Sequence, residues 1–187
     1  MLSMKVDRDT GWIAGVRRVE SPNHDARPAG SVPELIVIHG ISLPPGEFGG
    51  PGVDQLFCNH LDPSAHPYYA EICHLRVSSH VLISRDGSVT QYVSFLDRAW
   101  HAGQSSYCGR ADCNDFAIGI ELEGTDDLPY EPSQYRTLAA VIAALRRAYG
   151  SLEHAELVGH SDIAPGRKTD PGPHFDWARL QDLLAAG

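Results

Sequence analysis

His39, Glu121, His160, Lys168 and Asp170 are the side chains of this sequence whose types and spacing suit joint chemistry. Two imidazoles and a carboxylate match zinc, and a catalytic zinc site takes three protein ligands and leaves the fourth position to water. Residues 157–173, LVGHSDIAPGRKTDPGP, carry three of the five. Pro165, Pro171 and Pro173 each fix φ near −65° and lack an amide donor, so this stretch is expected to be an extended, pre-ordered loop rather than a helix. The same residues also fit a plainer reading. Asp162 would cap a turn beside a half-exposed His160, and Lys168 with Asp170 would be a surface ion pair worth about 0 to 1 kcal/mol.

Three apolar runs are placed to position these groups. The run 34–39, ELIVIH, is the continuous β-branched kind buried on both faces of a sheet, and His39 ends it. The run 116–122, FAIGIEL, is a second buried strand with Glu121 near its end. A carboxylate there is costly unless it is protonated, beside a metal, or met by an arginine or a backbone cap. Residues 156–159 form the strand that delivers His160. If the three strand ends lie on one side of the sheet, where folds with central sheets put their chemistry, the five groups converge. Zinc can lower the pKa of a bound water toward about 7. Glu121 would take the water proton and deliver it to a leaving nitrogen, and Lys168 would stabilise an oxyanion, a contribution of roughly 3 to 4 kcal/mol. That chemistry is amide hydrolysis. Strand ends alone do not single out His39 over His80 or His101.

The rest of the chain holds further elements around these three strands. Residues 1–33 read as an arm with a turn of helix near 12–16. Residues 40–73 are rich in Pro and Gly, with a short helix at 53–58 and aromatic residues that favour an ordered wall. Runs 80–84 and 88–95 flank Arg85-Asp86-Gly87, a strong hairpin signal. Trp100 and His101 follow, then a polar loop to 115. Glu131-Pro132-Ser133 opens a helix with Tyr135, Leu138, Val141, Ile142 and Leu145 at helical spacing, and Asp176 caps a last one.

The 187 residues are expected to form one domain spanning 1–187, with a core large enough to need no disulfide staples. A net charge of −9 argues against nucleic-acid or anionic-membrane partners. The first ten residues contain acids and no long apolar run, and no stretch of about 18 apolar residues is present. A soluble, cytoplasmic monomer with four reduced cysteines is therefore expected. No G-x-S-x-G elbow points to a metal-free serine hydrolase.

The motifs LIVIHG, SSHVLISRDGSV, RAWHAG, CNDFAIGIELEGTD and GHSDIAPGRKTDPGPHFDW together resemble the N-acetylmuramoyl-L-alanine amidases of the amidase_2 family. The resemblance implies an α/β (α+β) fold, a mixed central sheet flanked by helices. It implies zinc on His39, His160 and Asp170, with Glu121 and Lys168 as the catalytic pair. The substrate implied is an anhydro-muropeptide, cut between the lactyl group of 1,6-anhydro-N-acetylmuramic acid and L-alanine in cell-wall recycling. Arg76 and Arg167 are candidate partners for its carboxylates, with Trp100 and His101 as wall residues. Two other activities go with the same fold: muropeptide binding without cleavage, and general amidase action on intact wall. The sequence departs from the family at Gly40, where Asn is expected after the zinc histidine. That change removes a side-chain hydrogen bond to the peptide.

Overall fold

The structure is a computed structural model and describes residues 4–186. In chain order the strands are β1 (Arg17–Arg18), β2 (His24–Ala26), β3 (Leu35–Ile41), β4 (Val81–Ile83), β5 (Val89–Gln91), β6 (Asp97–Ala99), β7 (Ser106–Tyr107), β8 (Arg110–Ala111), β9 (Ala117–Glu123) and β10 (Glu156–Gly159). The helices are α1 (Gly52–Phe57), α2 (Pro67–Ile72), α3 (Pro132–Ala148), α4 (His160–Ile163) and α5 (Trp177–Ala185). Six strands form a mixed sheet in the order β1-β5-β4-β9-β3-β10. Its centre is parallel: β3 pairs with both β9 and β10, and β4 pairs with β9, all in one direction. The antiparallel partner β5 joins β4 through the Asp86-Gly87 turn.

Alternation along the central strands divides the core between two layers. Ile36, Ile38, Ile118, Ile120 and Leu122 pack with Leu138, Val141, Ile142 and Leu145 of α3 and Leu180 of α5. Burying each such side chain contributes about 1.5 to 3 kcal/mol, so the spacing seen in α3 is what fastens it to the sheet. Pro132 starts that helix, and the Gln134 side chain accepts the Glu131 amide at 2.9 Å. On the other face, Leu35, Val37 and Ala117 pack with Phe116 and Ile163, while Leu82 and Tyr92 pack with Leu56 and Phe57 of α1. His39 and Glu121 belong to this second face, because they continue the alternate positions Leu35, Val37 and Ala117, Gly119.

Some local expectations differ from the structure. Residues 12–16 are turn and bridge, with Val6 paired to Ile13, because the Gln91 side chain takes the Ile13 amide. The 40–73 connection carries α2 as well as α1, with Pro67 at its first turn and the His66 ring accepting the Tyr68 amide. The loop after β10 is not extended throughout: α4 gives it one helical turn. The prolines start only at Pro165, so they end that turn rather than prevent it, and Asp162 accepts the Gly159 amide at 2.6 Å. Asp162 is a cap, as its spacing from His160 allowed.

Candidate metal centre and active site

β3, β9 and β10 run side by side in the same direction, so their C-terminal ends open on one edge of the sheet. His39 and Glu121 are register partners on neighbouring strands, and His160 directly follows Gly159, the partner of Ile38. Asp170 returns to this edge because its carbonyl accepts the Ser161 amide at 3.0 Å. The Gly40 amide lies 3.4 Å from its Oδ2.

His39, His160 and Asp170 bring three ligand atoms together. The two Nδ1 atoms are 3.0 Å apart, and Asp170 Oδ2 is 3.1 Å from His160 Nδ1 and 3.3 Å from His39 Nδ1. Ligands at about 2.0 to 2.2 Å from a tetrahedral zinc would lie about 3.3 Å from one another, so the spacing suits such an ion. The donor chemistry suits it as well. His160 Nε2 is 3.2 Å from the Ala102 carbonyl, which only accepts, so a proton placed on Nε2 would leave the Nδ1 lone pair free for an ion. Burial pushes the His39 imidazole down to about 4, with the Asp170 carboxylate opposing the shift, so the ring is neutral at pH 7. Burial alone would raise the Asp170 carboxyl, but the His160 and His39 contacts outweigh it and hold the group ionised.

Glu121 is 8% exposed, and its Oε2 has no hydrogen-bond partner among the described residues. Burial first, then the nearby Asp170 charge, raise its pKa well above the ordinary glutamate value, while Lys168 acts in the opposite sense. Among the described residues neither an arginine nor a backbone cap meets that Oε2. The exposed Lys168 borders the same cleft of about 490 Å³, together with His39, Glu121, His160 and Asp170. Leu43, Tyr68, Ile72 and Trp100 give the cleft an apolar wall. The group can therefore bind a cation, hold a proton on a buried carboxylate, and offer an ammonium to an anion.

The four further candidates are placed differently from one another. Trp100 lines the cleft, anchored by its indole nitrogen on Asp25 at 3.2 Å. His101 also lines the cleft, largely buried, with Nδ1 2.9 Å from His39 Nε2 behind that ring. The Arg76 guanidinium is folded onto the carbonyls of Cys73, His74 and Leu75, orphan acceptors at the end of α2. Arg167 donates to the carbonyls of Ala102 and Gln104 and borders a separate recess with Pro165 and Asp112. Neither arginine lines the cleft in this structure, because backbone acceptors close by hold both. Two contributors escaped sequence reasoning. Tyr130 donates to the Pro171 carbonyl at 2.9 Å, and its hydroxyl fills the space that a Cβ on Gly40 would need. Asn114 holds the backbone at His101. The available signal for Tyr130 was the pair of glycines it abuts, Gly40 at the end of β3 and Gly124 just past β9, since an isolated glycine at a strand marks a close approach.

Comparisons with known proteins place the chain among characterised families of proteins. Residues 29–173 match the family model Amidase_2, N-acetylmuramoyl-L-alanine amidase. The 1,6-anhydro-N-acetylmuramyl-L-alanine amidase AmpD of Escherichia coli (strain K12) is 59% identical over 177 residues, 95% of this chain and 96% of that protein. A crystal structure of a Se-Met AmpD derivative matches with a TM-score of 0.93 at 59% identity, covering 97% of this chain and 99% of that one. The amidase AmiD from E. coli, solved as a complex with anhydro-N-acetylmuramic acid-L-Ala-D-gamma-Glu-L-Lys, matches with a TM-score of 0.57 at 26% identity, over 98% of this chain and 66% of that one. The matched segment runs from before β3 to beyond Asp170, and with near-full-length identity on top of it the chain belongs to the Amidase_2 family of N-acetylmuramoyl-L-alanine amidases.

Proposed function

We propose that this chain hydrolyses the amide bond between 1,6-anhydro-N-acetylmuramic acid and the L-alanine of muropeptides in cell-wall recycling. In this reading His39, His160 and Asp170 hold one zinc ion, and Glu121 and Lys168 are the catalytic pair. The observation that carries it is the buried Glu121 carboxylate, its Oε2 unpartnered among the described residues and its pKa raised by burial, in a cleft where two imidazoles and a carboxylate converge. A zinc ion held there supplies Lewis acidity and brings the pKa of water toward about 7. Glu121, whose proton affinity burial raises, takes a proton from the attacking water and returns it to the alanine nitrogen as the bond breaks. Lys168 faces the carbonyl oxygen as negative charge grows there, a role worth roughly 3 to 4 kcal/mol when the donor is well placed. Trp100 and the apolar residues of the cleft wall offer surface for the sugar to pack on.

The names of the AmpD relatives and the muropeptide in the AmiD complex support this substrate class. A cytoplasmic location and a monomeric state go with the same reading, and the four free cysteines suit a reducing compartment. Among the described residues no helix is long and apolar enough to cross a membrane.

The test is release of free stem peptide from an anhydro-muropeptide by the zinc-loaded protein, with and without a chelator. Release that stops on chelation and returns with zinc is expected. Muropeptide binding without release would replace the enzyme with a binding protein, and equal rates on intact wall polymer would remove the anhydro preference.

A further inference from the structure

We propose that His101 is a positioning residue of the metal centre: its Nδ1 accepts the Nε2 proton of His39 and so keeps the Nδ1 lone pair of His39 aimed at His160 and Asp170. The inference rests on His39 being a metal ligand, as set out above.

A ligating histidine needs its proton on the ring nitrogen that faces away from the metal, and the group behind it decides which nitrogen that is. Both metal-site rings have such a group, and the two groups are consecutive in the chain. Behind His160 it is the Ala102 carbonyl, 3.2 Å from Nε2. Behind His39 it is His101 Nδ1, 2.9 Å from Nε2, while the opposite edge of His39 faces His160 at 3.0 Å. Residues 101 and 102 thus brace both rings from one short segment.

That segment is itself held. The Asn114 side-chain oxygen accepts the amides of His101 at 3.0 Å and Ala102 at 2.8 Å. Arg167 donates to the Ala102 carbonyl at 2.6 Å, which gives this arginine a part in the brace. The sheet makes room as well: a Cβ on Gly119 would lie 2.5 Å from His101 Cγ. Position 119 pairs with Val37, two residues before His39, so a glycine there lets the His101 ring lie on the strands beside the ring it contacts.

The remaining nitrogen, His101 Nε2, is buried and has no partner among the described residues. A buried, unpaired donor costs stability that a phenylalanine at the same place would avoid. The ring is therefore explained by its other nitrogen, the one against His39.

The full-length protein tests this through zinc affinity, measured by competition with a chromophoric chelator. Loss of an outer partner typically weakens metal binding 10- to 100-fold. His101→Phe keeps the ring shape and should show that loss, and His101→Gln, which retains an acceptor, should recover most of it. A purely packing role predicts the reverse order, with Phe the better substitute. A dissociation constant for His101→Phe within about threefold of wild type overturns the proposal. Should that variant not fold, nitrogen-15 spectra of histidine-labelled, zinc-loaded wild type decide the matter. His101 must carry its proton on Nε2 and not on Nδ1, and a protonated Nδ1 overturns it. A wild-type protein that binds no zinc would instead sink the ligand assignment itself.

Discussion

His39 and Glu121 sit directly opposite each other across the β3–β9 ladder, one 1% exposed and the other 8%. Side chains at register-paired positions of parallel strands share a face, so one backbone ladder sets the separation between the imidazole of the candidate metal site and the buried carboxylate. The two roles are nevertheless separable, because Glu121 is not among the three converging ligand atoms.

Glu121→Ala should therefore keep its zinc while losing about 10²- to 10⁴-fold in turnover, the usual range for a general acid–base group. Metal analysis of the dialysed variant beside the peptide-release assay checks both halves. A rate near wild type would remove Glu121 from the mechanism.

Asp170→Ala should emerge from dialysis without zinc. In the wild type, a chelator should lower the thermal midpoint, because a ligand present at about a thousand times its dissociation constant stabilises by roughly 4 kcal/mol. The variant's midpoint should not respond to chelator. Equal responses of the two proteins in differential scanning calorimetry would contradict the ligand set.

Gly40 and Tyr130 should prove energetically coupled. A Cβ at position 40 would collide with the Tyr130 hydroxyl, so Gly40→Ala should cost about 1 to 3 kcal/mol as an overpacking change. Tyr130→Phe alone should cost about 0.5 to 1.5 kcal/mol through loss of its bond to the Pro171 carbonyl. In the double variant the missing hydroxyl leaves room for the methyl, and the total should fall below the sum by at least about 0.5 kcal/mol. Urea unfolding of the four proteins measures the cycle, and simple additivity would rule the collision out.

Asp54 should contribute to acid sensitivity. Burial alone would raise its pKa, but the Arg17 guanidinium at 2.6 Å and the Tyr92 hydroxyl at 2.5 Å outweigh that and leave it below 3.8. A carboxylate with a depressed folded-state pKa stabilises above its unfolded value, and the contribution fades as pH falls through the folded value. Asp54→Asn should accordingly be less stable than wild type at pH 7, with the gap closing below about pH 4. Unfolding curves at pH 7, 5 and 3.5 check the trend, and a constant gap would assign the loss to geometry rather than charge.

Much of the architecture was legible because a few patterns are set by local physics. The β-branched runs before His39 and Glu121, the Asp86-Gly87 turn and the period of α3 each state an element and its buried face without reference to distant residues. Short pieces were less legible. β2 with β6, and β7 with β8, are two or three residues long and exist by pairing with one another, so no internal periodicity announces them. The turn at His160–Ile163 was hidden by prolines that act only after it.

The sequence by itself determined which residues could bind a metal or move a proton, and that three of them end apolar strands, since residue type and burial pattern are carried in the chain order. Strand patterning left open which histidines meet; the family motifs pointed to His39 and His160, and the tertiary structure brings those two together at Asp170. His39, His80, His101 and His160 look alike in sequence, and what separates them is the parallel register of β3, β9 and β10, which places two rings around Asp170 and one behind. The fates of Arg76 and Arg167 were likewise settled by nearby carbonyls. A long, flexible cation takes whichever acceptor the fold presents, and no spacing in the chain encodes that choice.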